Sequence, residues 1–313
     1  SNIWSDCMTL EEIETFLAVV EQGNISAAAQ YLFVTQGTVS NRIKSLEDEL
    51  NAKLLFRQKG QKNIDLTPFG REFIPIAQQW TALWKDTQLL HQSAQRRHLR
   101  IGSIDVINNY TFLPLYQDFI RKYPKIQLSI NTFHSNEIHY LMEKRLIDMG
   151  FVFSQVHAPN IISIPIYREI MYVVCHKDSH YHEDLTPDEL PPEKEIFLRW
   201  GADYEIWHDS FWPGRKFKLE VNTGSMLSGY LSEPGYWGVA PMSLVAMLRR
   251  HYPVAFYRLG TPPPPRICYQ ITHQFPRASL QESLECFSEE VKRFVNRNDT
   301  ICTFEPWMME TGK

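Results

Sequence analysis

Residues 35 to 50 read Thr35-Gln36-Gly37-Thr38-Val39-Ser40-Asn41-Arg42-Ile43-Lys44-Ser45-Leu46-Glu47-Asp48-Glu49-Leu50. Val39, Ile43, Leu46 and Leu50 recur at i, i+4, i+7 and i+11, the spacing of one buried helical stripe, and Thr35 stands where an N-cap belongs. On the other side lie Gly37, Thr38, Asn41, Lys44 and Ser45, small or polar and free of acid. Such a face suits a helix whose first turns enter a DNA major groove. Short side chains let the backbone come close, Gln36 and Asn41 can read base edges, and Arg42 and Lys44 can reach phosphates. Thr35, Thr38 and Ser40 complete the candidate contact set on this helix. The acids Glu47, Asp48 and Glu49 are expected beyond the groove.

Upstream, Leu10, Ile13, Phe16, Leu17 and Val20 mark an amphipathic helix that Gln22-Gly23-Asn24 stops. A second helix is expected from Ser26, capping Ala27-Ala28-Ala29-Gln30-Tyr31-Leu32, whose three alanines let a neighbouring helix approach closely. Phe33-Val34 forms the turn into the third. Downstream, Arg57-Gln58-Lys59-Gly60-Gln61-Lys62-Asn63 precedes the alternating Ile64-Asp65-Leu66, the pattern of a hairpin with a basic, glycine-containing tip. Arg57, Lys59 and Lys62 are candidate phosphate contacts on that wing.

This ordered set resembles the DNA-binding domain of the LysR-type transcriptional regulators. The resemblance runs over about 60 residues: Phe16 to Gly23, Ser26 to Leu32, then Thr35, Gln36, Ser40, Ile43, Leu46 and Glu47, and finally Arg57, Leu66, Thr67 and Gly70. Thr38 stands where the family has Ala, and Asn51 where it has Gly. The resemblance implies a winged helix-turn-helix, a long linker helix and a C-terminal two-subdomain α/β effector domain similar to periplasmic binding proteins. It also implies a pseudo-palindromic double-stranded operator, a small-molecule effector, RNA polymerase as a protein partner, and a homodimer or a tetramer built from dimers.

Thr67 can cap a linker helix with Pro68 at its first position. Phe69, Phe73, Ile76, Trp80, Leu83, Thr87 and Leu90 then follow a 4-3-4-3 rhythm that wants a partner, either the winged domain itself or a second subunit. Pro75 should bend this helix near Arg71 or Glu72, and Gln92 to His98 has the texture of a polar, basic hinge. Expected boundaries are 8–67 for the winged domain, 68–92 for the linker, 93–98 for the hinge and 99–297 for the effector domain, with 298–313 as a tail. Within the effector domain, 99–163 with 267–297 form one subdomain and 164–266 the other.

From Leu99, short apolar runs alternate with helical stretches: strands at 99–103, 126–132 and 148–153, helices at 109–122 and 136–145. This alternation implies a parallel sheet flanked by helices. A second set follows, with a helix starting at Thr186-Pro187-Asp188-Glu189 and strands at 195–199, 217–221, 238–241 and 254–257. A last helix from Ser279 to Phe294 should pack back on the first set.

Ligands in such folds sit at the carboxyl ends of strands, beside helix N-termini. Ser103, Ile104 and Asp105, Arg199 and Trp200, and Thr223 are therefore the candidate effector contacts. Asp105 and Trp200 suit an aromatic, uncharged or cationic ligand, whereas Arg199 suits an anion.

The 313 residues carry a formal net charge of −4, so any DNA contact must be local, as the six bases between Arg42 and Lys62 are. Five widely spaced cysteines without a CxxC pair signal neither a disulfide framework nor a zinc cluster. His134, Glu137 and His139 lack the HExxH spacing, and no GxSxG, P-loop or GxGxxG occurs, so no metal, cofactor or enzymatic activity is expected. With no signal-peptide pattern at Ser1 to Leu10 and no 18-residue apolar run, the expected location is the cytoplasm.

Overall fold

The computed structural model describes residues 8–56, 64–93, 97–155, 158, 160–214, 217–231 and 233–301. The chain forms two compact units, residues 1–94 and 95–313.

The first unit opens with α1 (Leu10–Gln22), α2 (Ile25–Tyr31) and α3 (Gln36–Glu49). Thr9 and Glu12 form a reciprocal capping box at the start of α1, and Gly23, at φ 71°, ends it in the left-handed conformation. The cap of α2 is Asn24 rather than the expected Ser26: its Oδ1 accepts from Ala27 N–H at 2.7 Å, so the helix starts at Ile25, two residues earlier. Thr35 caps α3, its Oγ1 accepting from Thr38 N–H at 3.1 Å. Ile13, Phe16, Val19, Ala28, Ala29, Val39, Ile43 and Leu46 form the three-helix core.

Glu47 departs from the expected acidic run. It is buried, and its carboxylate accepts from Leu54 N–H at 2.9 Å, Leu55 N–H at 3.2 Å and Lys53 Nζ at 2.9 Å. It thus fastens the end of α3 to β1 (Leu55–Phe56), which pairs antiparallel with β2 (Asp65–Leu66). Asn51, between them, adopts φ 49°, the left-handed seat that glycine would otherwise take. The hairpin tip with Arg57, Lys59 and Lys62 lies outside the described residues.

Burial pushes the Glu47 carboxyl up, but the bonds from Lys53, Leu54 and Leu55 outweigh it and hold the group below its ordinary value near 4.5. Its contribution to stability is therefore complete above that value and lost as pH falls through the lower, folded one. Glu47→Gln, which keeps an acceptor for the amides but gives up the charge, should cost about 1 kcal/mol at neutral pH. Thermal melts across acid pH should show part of the wild-type acid loss missing in this variant; identical pH profiles would refute the role assigned to Glu47.

α4 (Pro68–Ser93) follows, capped by buried Thr67, whose Oγ1 accepts from Gly70 N–H at 2.9 Å. The helix continues through Pro75 without ending.

The second unit contains two sheets. β3 (Arg97–Ser103), β4 (Ile126–Thr132), β5 (Met149–Val152), β6 (Ile161–Glu169) and a late strand, Arg266–His273, form the first, in the order β4-β3-β5-late strand-β6. β3 is parallel to β4 and β5, but the late strand runs antiparallel to β5 and β6, so the expected parallel sheet is mixed. Arg97 and His98, expected in the hinge, belong to β3, opposite Ile126 and Gln127. The expected helix from Asn109 is instead a π-turn, Ile107–Thr111, followed by α5 (Leu113–Lys122); Phe112 N–H reaches back to Ile107 C=O before the helix restarts around Pro114. α6 (Ser135–Glu143) connects β4 to β5.

The chain crosses to the second sheet at Ile170, not at the expected 163/164, because β6 pairs along its whole length with the late strand up to Glu169 opposite Arg266. The second subdomain holds β7 (Met171–His176), β8 (Ile196–Leu198), α7 (Ala202–Phe211), β9 (Leu219–Val221), α8 (Gly224–Leu231), β10 (Trp237–Pro241), α9 (Met242–His251) and β11 (Val254–Tyr257). β7 lies between β10 and β11, antiparallel to both, and a parallel bridge from Glu195 to Trp237 joins the β8-β9 pair to them. The helix expected from Thr186 is one 3₁₀ turn, Pro187–Glu189, since Pro191 and Pro192 supply no N–H to extend it. The late strand, β12 (Arg266–His273), brings the chain back, and α10 (Gln281–Arg297) lays Leu284, Phe287, Val291 and Val295 into the first subdomain's core. Ile301 joins that core, so the segment from 298 is not wholly a free tail.

Candidate functional sites

On α3 the structure leaves Gln36, Gly37, Asn41, Lys44 and Ser45 exposed, with Thr38 and Ser40 half-buried and Val39, Ile43 and Leu46 behind them. Thr35 is exposed, and its hydroxyl lies 2.9 Å from that of Thr38. Arg42 departs from its expected phosphate role. Its guanidinium turns back onto α1, where it bonds the Glu11 carboxylate and reaches Thr15 Oγ1 at 3.4 Å, because its position on α3 faces the α1 contact. Phe33, in the turn before Thr35, is 96% exposed at φ 55°, a conspicuous apolar group that periodicity did not single out.

Along α4 the apolar stripe divides. Phe73 is buried in the three-helix core, stacked near Phe69 and Phe16, while Ile76, Trp80 and Leu83 are 54%, 45% and 65% exposed. Trp84 is exposed beside them.

In the second unit a cleft of about 1200 Å³ lies between the two subdomains. Ile104, Asp105, Arg199, Trp200 and Thr223 all line it. Ser103 does not: it is fully buried and donates its hydroxyl to Phe151 C=O at 3.1 Å, because strand alternation turns it to the same side as Leu99 and Ile101. Sequence reasoning also missed Phe133, His134, Phe153, Arg266 and Tyr269 on the walls. The ends of β4 and β5 obey the same carboxyl-end rule and carry Phe133 and Phe153. Arg266 begins an antiparallel strand, so that rule gives no sign of it.

Asp105 spans the cleft. Its Oδ2 accepts from Gly224 N–H at 3.1 Å, at the N-terminus of α8, and its Oδ1 accepts from Asn109 Nδ2 at 2.7 Å. Tyr110 lies against Gly224, where an added Cβ would meet its ring at 2.6 Å. Burial and the Asp105 charge push the Tyr110 phenol up to about 12. Trp200 is fixed by its Nε1–H donating to Val239 C=O at 2.7 Å.

Arg266 carries its guanidinium 3.6 Å over the Phe153 ring and 4.8 Å from that of Trp200. Behind it stands Glu169, fully buried, with Oε2 3.4 Å from Arg266 Nη1 and Oε1 accepting from Ser243 Oγ at 3.1 Å and Thr111 Oγ1 at 3.4 Å. Burial raises the Glu169 carboxyl and lowers the Arg266 guanidinium, and their mutual attraction opposes both. Arg199 is held by Glu220 at 3.0 Å and Glu205 at 3.6 Å. Among the described residues no group of three or more His, Cys, Asp or Glu side chains is placed to hold a metal ion. No helix among them is long and apolar enough to cross a membrane.

A winged helix-turn-helix joined to a two-lobed α/β binding fold defines a class, the one-component regulators that carry a DNA-reading head and a ligand-binding body on one chain. Residues 10–71 match the bacterial regulatory helix-turn-helix domain of the LysR family, and residues 92–294 match the LysR substrate binding domain. The chain belongs to the LysR family of transcriptional regulators.

Among its relatives, the regulator YofA of Bacillus velezensis is 28% identical over 184 residues, 57% of this chain and 62% of that protein, so the chain spans less than two thirds of that relative. HdfR of Yersinia pestis is 25% identical over 235 residues, 72% of this chain and 78% of that protein. Similar folds are a full-length OxyR variant from Pseudomonas aeruginosa (TM-score 0.58, 19% identity, 96% of this chain and 99% of that one) and CbnR in complex with its target DNA (TM-score 0.52, 21% identity, 92% and 100%).

Proposed function

We propose that this regulator acts in the cytoplasm as a homodimer, with a tetramer built from two dimers as its larger form, on a pseudo-palindromic double-stranded operator. A small molecule bound between the two C-terminal subdomains shifts the placement of the paired winged domains and so the half-site spacing they fit, and RNA polymerase is the protein it acts on. It performs no chemistry. The observation that carries the reading is the outward side of α3, exposed and free of acid from Gln36 to Ser45. The uncovered Ile76, Trp80, Leu83 and Trp84 on α4 favour pairing with a second subunit over packing within one chain.

In this reading Thr35, Gln36, Thr38, Ser40, Asn41 and Lys44 meet the operator, with Arg57, Lys59 and Lys62 on the wing contacting phosphates; Arg42 instead braces α3 on α1. Ile104, Asp105, Arg199, Trp200 and Thr223 surround the effector. A gel shift against the protein's own upstream region should give salt-sensitive, site-specific retention. Gln36→Ala or Asn41→Ala should weaken specific binding roughly tenfold and leave non-specific binding nearly intact, whereas Lys59→Ala or Lys62→Ala should weaken both and lower the salt slope. If both pairs of variants behave alike, α3 is not the reading helix.

A further inference from the structure

We infer that the cleft takes a flat organic cation carrying one hydrogen-bond acceptor, not a carboxylate. This rests on the reading of the cleft as the effector site. Three features there that would draw an anion are already met by the chain's own acids, and the two other helix N-termini on the cleft, those of α6 and α7, carry Glu137 and Asp203 in their first turns. The Arg199 guanidinium is paired with Glu220 and Glu205, and that of Arg266 with the buried Glu169. The N-terminus of α8, a ready seat for a negative group, holds the Asp105 carboxylate at Gly224 N–H. An incoming carboxylate would have to displace Asp105, which Asn109 also grips, and would then sit beside its negative charge.

Two uncommitted side chains there have the opposite sign. Glu137 and Asp203 line the cleft, exposed and without a cationic partner among the described residues. Phe133 and Tyr269 add aromatic walls to the same cleft, where the rings of Phe153 and Trp200 already accept one guanidinium, that of Arg266. The half-buried rings of Phe133 and Tyr269, which no guanidinium among the described residues covers, can take a planar cation. The Arg266 side chain is only 9% exposed, and its buried Nε–H has no partner among the described residues, so an acceptor oxygen brought against this wall would meet an unsatisfied donor. The conflict between Asp105 and Arg199 is thereby decided: Arg199 is spoken for.

The test is calorimetric titration of the full-length protein with three probes of one shape, 4-hydroxybenzamidinium, 4-hydroxybenzamide and 4-hydroxybenzoate. The cation should bind tightest, at least tenfold ahead of the carboxylate. Glu137→Gln and Asp203→Asn should each weaken it roughly two- to fivefold while leaving the neutral amide unchanged. Ala202→Trp, which places a bulky ring on the exposed start of α7 at the cleft, should weaken both. Tightest binding by the carboxylate, or no binding by any probe, overturns the ligand class. If the carboxylate wins and Ala202→Trp abolishes its binding, the cleft stands as the effector site and only the class falls. If the cation binds but none of the three substitutions changes its affinity, the assignment of the cleft itself falls.

Discussion

Glu169→Ala is expected to destabilise the second unit by about 3–5 kcal/mol, the range for removing one partner of a buried ion pair. Glu169 ends β6 and Arg266 opens β12; the two face each other in the ladder at the place where the chain leaves the first subdomain and returns to it. Without the carboxylate, the guanidinium stays against Phe153 and Trp200, largely shielded from water and without a counter-charge, and Ser243 and Thr111 lose their acceptor as well. Urea unfolding of the intact chain measures the loss. The pair itself is not where the stability originates, since both charges are costly to bury. Glu169→Met with Arg266→Met should therefore recover most of the loss, because buried pairs replaced by apolar groups of similar volume are often neutral. A single variant within about 1 kcal/mol of wild type, or a double variant no better than the single, would refute this account. The same double variant should also alter any cleft ligand's affinity, since Arg266 forms part of the wall.

What the sequence made legible is what local chemistry decides. The Thr35 cap, the Val39, Ile43 and Leu46 stripe and the limits of β4 follow from hydroxyl placement and side-chain period alone. The strand-end rule led to Ile104, Asp105, Trp200 and Thr223 because residues after a parallel strand face the cleft whatever the rest of the fold does. Ser103 was misplaced by one residue, and alternation along Leu99, Ile101 and Ser103 already pointed it inward. The other differences depend on partners remote in sequence. Glu47 resembles Asp48 and Glu49 until the free amides of Leu54 and Leu55 are known to fold back on it. Arg42 carries no sign of Glu11, 31 residues earlier. The crossover at Ile170 is hidden because β6 is assigned to its sheet by β12, nearly a hundred residues later and running the other way. The same reversal concealed Arg266.

Gly70→Ala is expected to cost about 3 kcal/mol or more and to abolish operator retention, although alanine is the better helix former. Thr67 begins α4 by accepting from Gly70 N–H, while its own N–H donates to Leu54 C=O at 3.0 Å and its hydroxyl to Lys53 C=O. These bonds draw the strand before the wing directly across the first turn of the helix. A Cβ on residue 70 would lie 2.2 Å from the Leu54 carbonyl oxygen and 3.1 Å from its carbon, both backbone atoms that no rotamer change can move. Either α4 detaches from β1 or the Thr67 cap opens. Both displace the wing relative to α3, whose own anchor at Glu47 uses the amides of the same Leu54 and Leu55. Gly23 supplies the control. Unlike Gly70 it has positive φ, and open space surrounds it, so Gly23→Ala bears conformational strain alone, about 1 kcal/mol, and should keep its operator. Urea unfolding and gel shifts on the two variants separate the effects. Should Gly70→Ala prove as mild as Gly23→Ala, the close approach of Leu54 to α4 is not what requires glycine in the Leu66-Thr67-x-x-Gly70 sequence.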